Sequence, residues 1–110
     1  SLFINPLISD VKISSQLNTD CIEIHTGHLS NLVKSKKNFQ TEFKKIKKCS
    51  IYADNLGIEV HVGHGLDYKT TNILTKIKQI KEFNIGQYLI GESIFFGLPK
   101  VIKNFKRIIK

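Results

Sequence analysis

Cys21-Ile22-Glu23-Ile24-His25-Thr26-Gly27-His28 alternates apolar and polar side chains and then breaks at Thr-Gly. As a strand it sends Ile22 and Ile24 to one side and Glu23 and His25 to the other. Outward from it, runs rich in β-branched and aromatic residues recur at Leu2–Asn5, Ile58–Val62 and Gln87–Gly91, and each of the four is followed by helical periodicity. The order β-α-β-α-β-α-β-α predicts parallel strands joined by crossover helices, because a tight hairpin cannot close a parallel pair. Parallel strands of this kind are covered on both faces, so Glu23 and His25 point into a lumen, where ionisable groups need partners.

Spacing and punctuation define the helices. The first starts near Ser9 or Asp10, buries Val11, Ser14 and Leu17, and stops around Asn18. In the second, Phe39, Phe43, Ile46, Ser50, Ala53 and Leu56 step by three or four residues onto one face, and Gly57 follows as a left-handed stop. In the third, Ile73, Ile77 and Ile80 form the stripe, Thr70 or Thr71 caps the start and Asn84 ends it. In the fourth, Pro99 occupies the first turn ahead of Val101, Ile102, Phe105, Ile108 and Ile109. Ser30 to Asn38, polar and lysine-rich, reads as a flexible loop after the second strand.

Each βα unit takes roughly 25–35 residues and a closed eight-unit barrel about 250. The 110 residues therefore predict one α/β domain, residues 1–110, amounting to half of a parallel (β/α)8 barrel of TIM type. The sequence contains no Met and opens on the strand-like run Ser1-Leu2-Phe3-Ile4, which fits a piece of a longer protein. A free half-barrel would leave two parallel edges unpaired.

Lys and Arg number 17 against 9 Asp and Glu, a formal charge of +8. That balance suits phosphate-bearing partners, whether nucleic acid or a small metabolite. Most of the excess is lysine spread along polar helix faces, with Arg107 the one arginine able to form a bidentate fork, which argues against a dedicated nucleic-acid surface. Cys21 and Cys49 are too few for a disulfide scaffold or a zinc site, and a reducing cytoplasmic compartment fits. No apolar run approaches the roughly 20 residues that span a bilayer, so no membrane partner is expected.

Gly63-His64-Gly65 is the most informative short motif. A histidine between two glycines can project from a strand end while bare backbone lets a ligand approach, and backbone amides there can bind phosphate. The same tripeptide also occurs in ordinary turns, and spacing leaves both readings open. Glu23 and His25 are either near a site or an internal ion pair bracing the barrel. His25, His61 and His64 raise the idea of a metal centre, but His61 and His64, three apart at a strand end, do not share a face. Gly86 is either part of a phosphate cradle or punctuation after the preceding helix.

Four segments in register, Ser1-Leu2-Phe3-Ile4, Ile22-Glu23-Ile24-His25-Thr26-Gly27, Gly63-His64-Gly65-Leu66 with Tyr68, and Asn84-Ile85-Gly86, closely resemble the C-terminal half of the pyridoxine 5′-phosphate synthase family. The resemblance covers nearly the whole chain and implies strands five to eight of the barrel. It implies condensation of 1-deoxy-D-xylulose 5-phosphate with 3-amino-2-oxopropyl phosphate to pyridoxine 5′-phosphate, phosphate and water, with no metal or organic cofactor and in a homo-oligomer. By that resemblance His64 is the general acid, Gly65 binds the amino-ketone phosphate, and the backbone of Gly86 and Gln87 grips that phosphate. Two positions depart from the family pattern. Gln87 stands where His is frequent, which matters little to a backbone contact, and Glu92 stands where Arg is common, a reversal that weakens anion binding unless Glu92 faces elsewhere. The family's general-base histidine, a catalytic glutamate and several arginine ligands belong to the other half of the barrel, so the 110 residues alone are expected to be inactive.

Two rivals remain. Another phosphate-binding barrel enzyme is one, although a Schiff-base aldolase needs a strand-end lysine that no predicted strand supplies. A non-catalytic basic α/β module binding nucleic acid or protein is the other, and its binding would weaken steeply with salt and survive His64→Ala.

Overall fold

A computed structural model describes residues 2–85 and 98–109. Four strands, β1 (Leu2–Ile4), β2 (Cys21–His25), β3 (Glu59–Gly63) and β4 (Ile80–Asn84), form one parallel sheet in the order β1-β2-β3-β4. Among the described residues the helices are α1 (Ile8–Gln16), α2 (Gly27–Lys34), α3 (Gln40–Asn55), α4 (Tyr68–Leu74) and α5 (Leu98–Ile109). The expected parallel α/β architecture is what the chain adopts.

Alternation sorts the sheet into two unlike faces. Ile22 and Ile24 of β2 and Val60 and Val62 of β3 are buried beneath helix residues including Val11, Ile46, Leu74 and Phe105. Burying each such side chain contributes roughly 1.5–3 kcal/mol, which fixes the register because a one-residue slip would turn the whole set to the other face. On the opposite face stand Phe3, 77% exposed, and Glu23, His25, Glu59, His61, Glu82 and Asn84. This open face corresponds to the lumen side anticipated for Glu23 and His25.

Helix faces bury serine where its hydroxyl finds a local acceptor. Ser14 Oγ donates to Asp10 O at 2.9 Å and Ser50 Oγ to Ile46 O at 2.7 Å, so each fits a packed face without an orphaned hydroxyl. Gly57, at φ 78°, follows the end of α3 as expected.

Several expectations need correction. The helix predicted third is α4 and ends at Leu74, and Ile80 opens β4 instead of extending a helical stripe to Asn84. Thr70 and Thr71 lie buried inside α4, which is capped by Asp67, whose Oδ1 accepts from Thr70 N–H at 2.8 Å. Part of the predicted loop from Ser30 to Asn38 is helical, because Leu29, Ser30 and Val33 turn one face of α2 into the core. Leu17 is 64% exposed, since α1 ends before it and the chain reverses at Asn18, at φ 56°. Leu56, just beyond α3, is exposed for the same reason. The predicted strand Gln87–Gly91 lies outside the described residues.

Candidate functional site

β2 and β3 end level with one another, His25 beside Gly63, and β4 ends beside them with Asn84 against Gly63. The C-terminal rim of the sheet is therefore built from the residues that follow these positions. After β3 the chain takes two successive left-handed steps, His64 at φ 83° and Gly65 at φ 76°. Leu66, 2% exposed, then anchors the turn in the core and Asp67 starts α4.

The turn is held from the α2 side. Thr26 N–H donates to Gly63 O at 2.9 Å, and Thr26 Oγ1 lies 2.8 Å from Gly63 O and 3.0 Å from His64 O. One hydroxyl proton is shared between those two acceptors. Ser30 Oγ donates to Gly65 O, and Thr70 Oγ1 stands 3.5 Å behind Ser30 Oγ. Thr26, Ser30 and Thr70 are all buried.

This framework leaves the His64 side chain exposed at the rim. Its ring stacks on that of His25 with centroids 4.1 Å apart and planes at 28°. His25 is oriented in turn by Gly27 N–H, which donates to its Nδ1 at 3.2 Å. Both rings press on Gly27: a Cβ there would lie 2.6 Å from His25 Cε1 and 3.0 Å from His64 Cδ2. An exposed imidazole on a braced backbone can deliver a proton to a bound molecule and recover it from solvent.

Below the rim, His61 sits between two carboxylates. Its Nε2 is 2.6 Å from Glu59 Oε2 and its Nδ1 3.0 Å from Glu82 Oε2, with the His61 side chain 13% exposed and both glutamates 57% exposed. Both bonds are donated together only by the doubly protonated ring. A shift of pairing between Val60 and His61 makes this possible by setting Glu82 opposite His61. Asn84 Nδ2 donates to Glu23 Oε1, passing over Gly63. Glu23, Glu59, His61 and Glu82 of the open face thus each have a side-chain partner, within β3, across to β4, or from β2 over β3 to β4.

His25 and His64 meet ring to ring, and both nitrogens of His61 face carboxylates, so the three do not aim at a common point. Among the described residues no group of three His, Cys, Asp or Glu side chains could hold a metal ion. His64 and Gly65 come together at the rim, whereas Gly86, Gln87 and Glu92 lie outside the described residues. Sequence reasoning missed the hydroxyls of Thr26 and Ser30. The signal available was a Thr-Gly pair closing a strand next in register to Gly-His-Gly.

Away from the rim, the buried Cys49 thiol is pushed up from 9.0 to about 11, chiefly by burial, with Asp10 and Glu42 adding and Lys48 opposing.

Residues 1–110 match the family model described as pyridoxal phosphate biosynthesis protein PdxJ. The chain is 59% identical over 108 residues to pyridoxine 5′-phosphate synthase of Pelagibacter ubique, covering 98% of this chain and 45% of that protein. It is 41% identical to the synthase of Sulfurihydrogenibium sp., covering 99% of this chain and 44% of that protein. For the synthase of Zymomonas mobilis the identity is 39%, with 99% and 42% covered. The chain spans less than half the length of these curated relatives.

Proposed function

Because this chain belongs to the PdxJ family of pyridoxal phosphate biosynthesis proteins, we propose that it forms the C-terminal half, strands five to eight, of a pyridoxine 5′-phosphate synthase barrel. The proposed reaction joins 1-deoxy-D-xylulose 5-phosphate to 3-amino-2-oxopropyl phosphate, closing the pyridine ring with release of phosphate and water. Imine formation, dehydration and aldol-like closure each move protons between carbon, oxygen and nitrogen, which calls for positioned acids and bases.

In this reading His64 is the general acid that protonates a leaving group. Gly65 and the backbone of Gly86 and Gln87 bind the phosphate of the amino ketone. The observation that carries it is the exposed His64 imidazole on a two-residue left-handed turn at the C-terminal rim, where barrel enzymes hold their substrates. The other barrel half supplies the general base and the remaining ligands.

A cytoplasmic homo-oligomer completes the proposal. Among the described residues no helix is long and apolar enough to cross a membrane.

The test is His64→Ala in the full-length protein, assayed for condensation of the two substrates. The expected result is a kcat lower by about 10²–10⁴-fold with the fold retained. Unchanged kcat would end the assignment of His64.

A further inference from the structure

Three consecutive carbonyls, those of Gly63, His64 and Gly65, accept from two hydroxyls, Thr26 Oγ1 and Ser30 Oγ. Neither strand pairing nor helix capping accounts for this. Gly63 O already receives the Thr26 N–H. Thr26 occupies the N-cap of α2, where threonine ordinarily bonds the first turn, yet its side chain makes no capping bond. The hydroxyl is turned from its own helix to the neighbouring turn.

That turn needs an external hold. A residue with a Cβ is disfavoured in the left-handed region, and such a conformation persists only where its surroundings over-determine it. If the peptide planes rotated to relieve His64, its carbonyl or that of Gly65 would swing away from the hydroxyls and lose a partner in a part-buried setting. Ser30 is itself backed by Thr70, so the hold extends from α2 to α4.

We propose that Thr26 and Ser30 are positioning residues for His64: their hydroxyls fix the left-handed backbone that stacks the imidazole on His25 and presents it at the rim. The inference rests on the reading of His64 as general acid, and it adds the groups that aim it.

Three variants of the full-length protein test it. Thr26→Val keeps the branched shape and removes the hydroxyl, Thr26→Ser keeps the hydroxyl and removes the methyl, and Ser30→Ala removes the second donor. Thr26→Val should lower kcat by about 10- to 100-fold while KM for either substrate moves less than about threefold, the signature of a misplaced catalytic group. Ser30→Ala should lower kcat by a smaller factor, and Thr26→Ser should restore it to within about threefold of the parent. The imidazole C–H proton resonances of His64 should lose the ring-current shift imposed by His25 in Thr26→Val and keep it in Thr26→Ser.

Parental kcat in Thr26→Val overturns the proposal, as does a Thr26→Ser enzyme no better than Thr26→Val, since the loss would then follow packing. Should Thr26→Val fail to fold, parental kcat and unchanged His64 resonances in Ser30→Ala overturn it instead. His64→Ala in the same assay separates the two readings. If it retains kcat, the general-acid role fails and the resonances still test the positioning. If it loses kcat while Thr26→Val does not, the positioning alone fails.

Discussion

Glycine and alanine at position 64 should rank in the order opposite to their rank in a helix or strand. In regular structure Gly is less stable than Ala by roughly 0.5–1 kcal/mol, because the unfolded chain has more freedom to lose. At φ 83° a Cβ meets the penalty of the left-handed region, roughly 1–2 kcal/mol. Setting one against the other, His64→Gly should be more stable than His64→Ala by up to about 1.5 kcal/mol. The comparison isolates the backbone. Both variants lose the stack on His25, and both keep the carbonyl bonds from Thr26 and Ser30. Urea unfolding of the two full-length variants measures the difference as a shift in midpoint at a common slope. An alanine variant more stable than the glycine variant, with slopes unchanged, would refute the left-handed turn. Both variants should show the same kcat, lower by about 10²–10⁴-fold, so the added stability of the glycine variant brings no recovery of function.

Gly27→Ala places a methyl within 2.6 Å of His25 and 3.0 Å of His64, inside the ordinary contact distance of about 3.5 Å. The rings must part, so kcat of the full-length protein should fall by about tenfold or more. A variant with parental kcat contradicts the stacked arrangement. The Cys49 thiol, raised from 9.0 to about 11, should resist alkylation at pH 8 until the protein unfolds. Its folded pKa lies above the unfolded value, so the folded state keeps a proton that the unfolded chain releases. The associated stability is whole below pH about 9 and declines as pH rises to about 11, and Cys49→Ala should flatten that decline in thermal melts.

The first three strands were legible because alternation and β-branching coincide in them. Cys21–His25 was read with its observed bounds, and the burial of Ile22 and Ile24 against Glu23 and His25 followed from period two. β4 was not legible. Ile73, Ile77 and Ile80 fall at helical spacing, but Ile77 is buried from the connection after α4 and Ile80 from the sheet, so three different elements imitate one stripe. Lys81 and Glu82 further disguise Ile80–Asn84, since Glu82 belongs to the open face beside His61 and the register shift on β4 falls next to it. α2 escaped notice because its apolar face holds little more than Leu29 and Val33.

In the candidate site, His64 stood out through its flanking glycines, and the lumen orientation of Glu23 and His25 followed from alternation. Their partners did not. The contacts from Thr26 to His64 and from Glu23 to Asn84 join residues 38 and 61 apart in the chain, and only strand register brings them together. The role of Gly27 was hidden for the same reason, because its constraint comes from two rings, one of them carried on the turn after the neighbouring strand.

The missing side chain at Gly63 lets two strands that are not neighbours touch. β2 and β4 lie two strand spacings apart, roughly 9–10 Å, yet Glu23 and Asn84 meet above the bare backbone between them. Geometrically this contact is a chord drawn across an arc. Flattening the wall lengthens the chord and breaks it, while deepening the bend compresses it. Bending of the sheet and the attitude of the Asn84 peptide, which leads into Ile85 at the rim, therefore vary together, and a methyl at position 63 would uncouple them by wedging the chord apart.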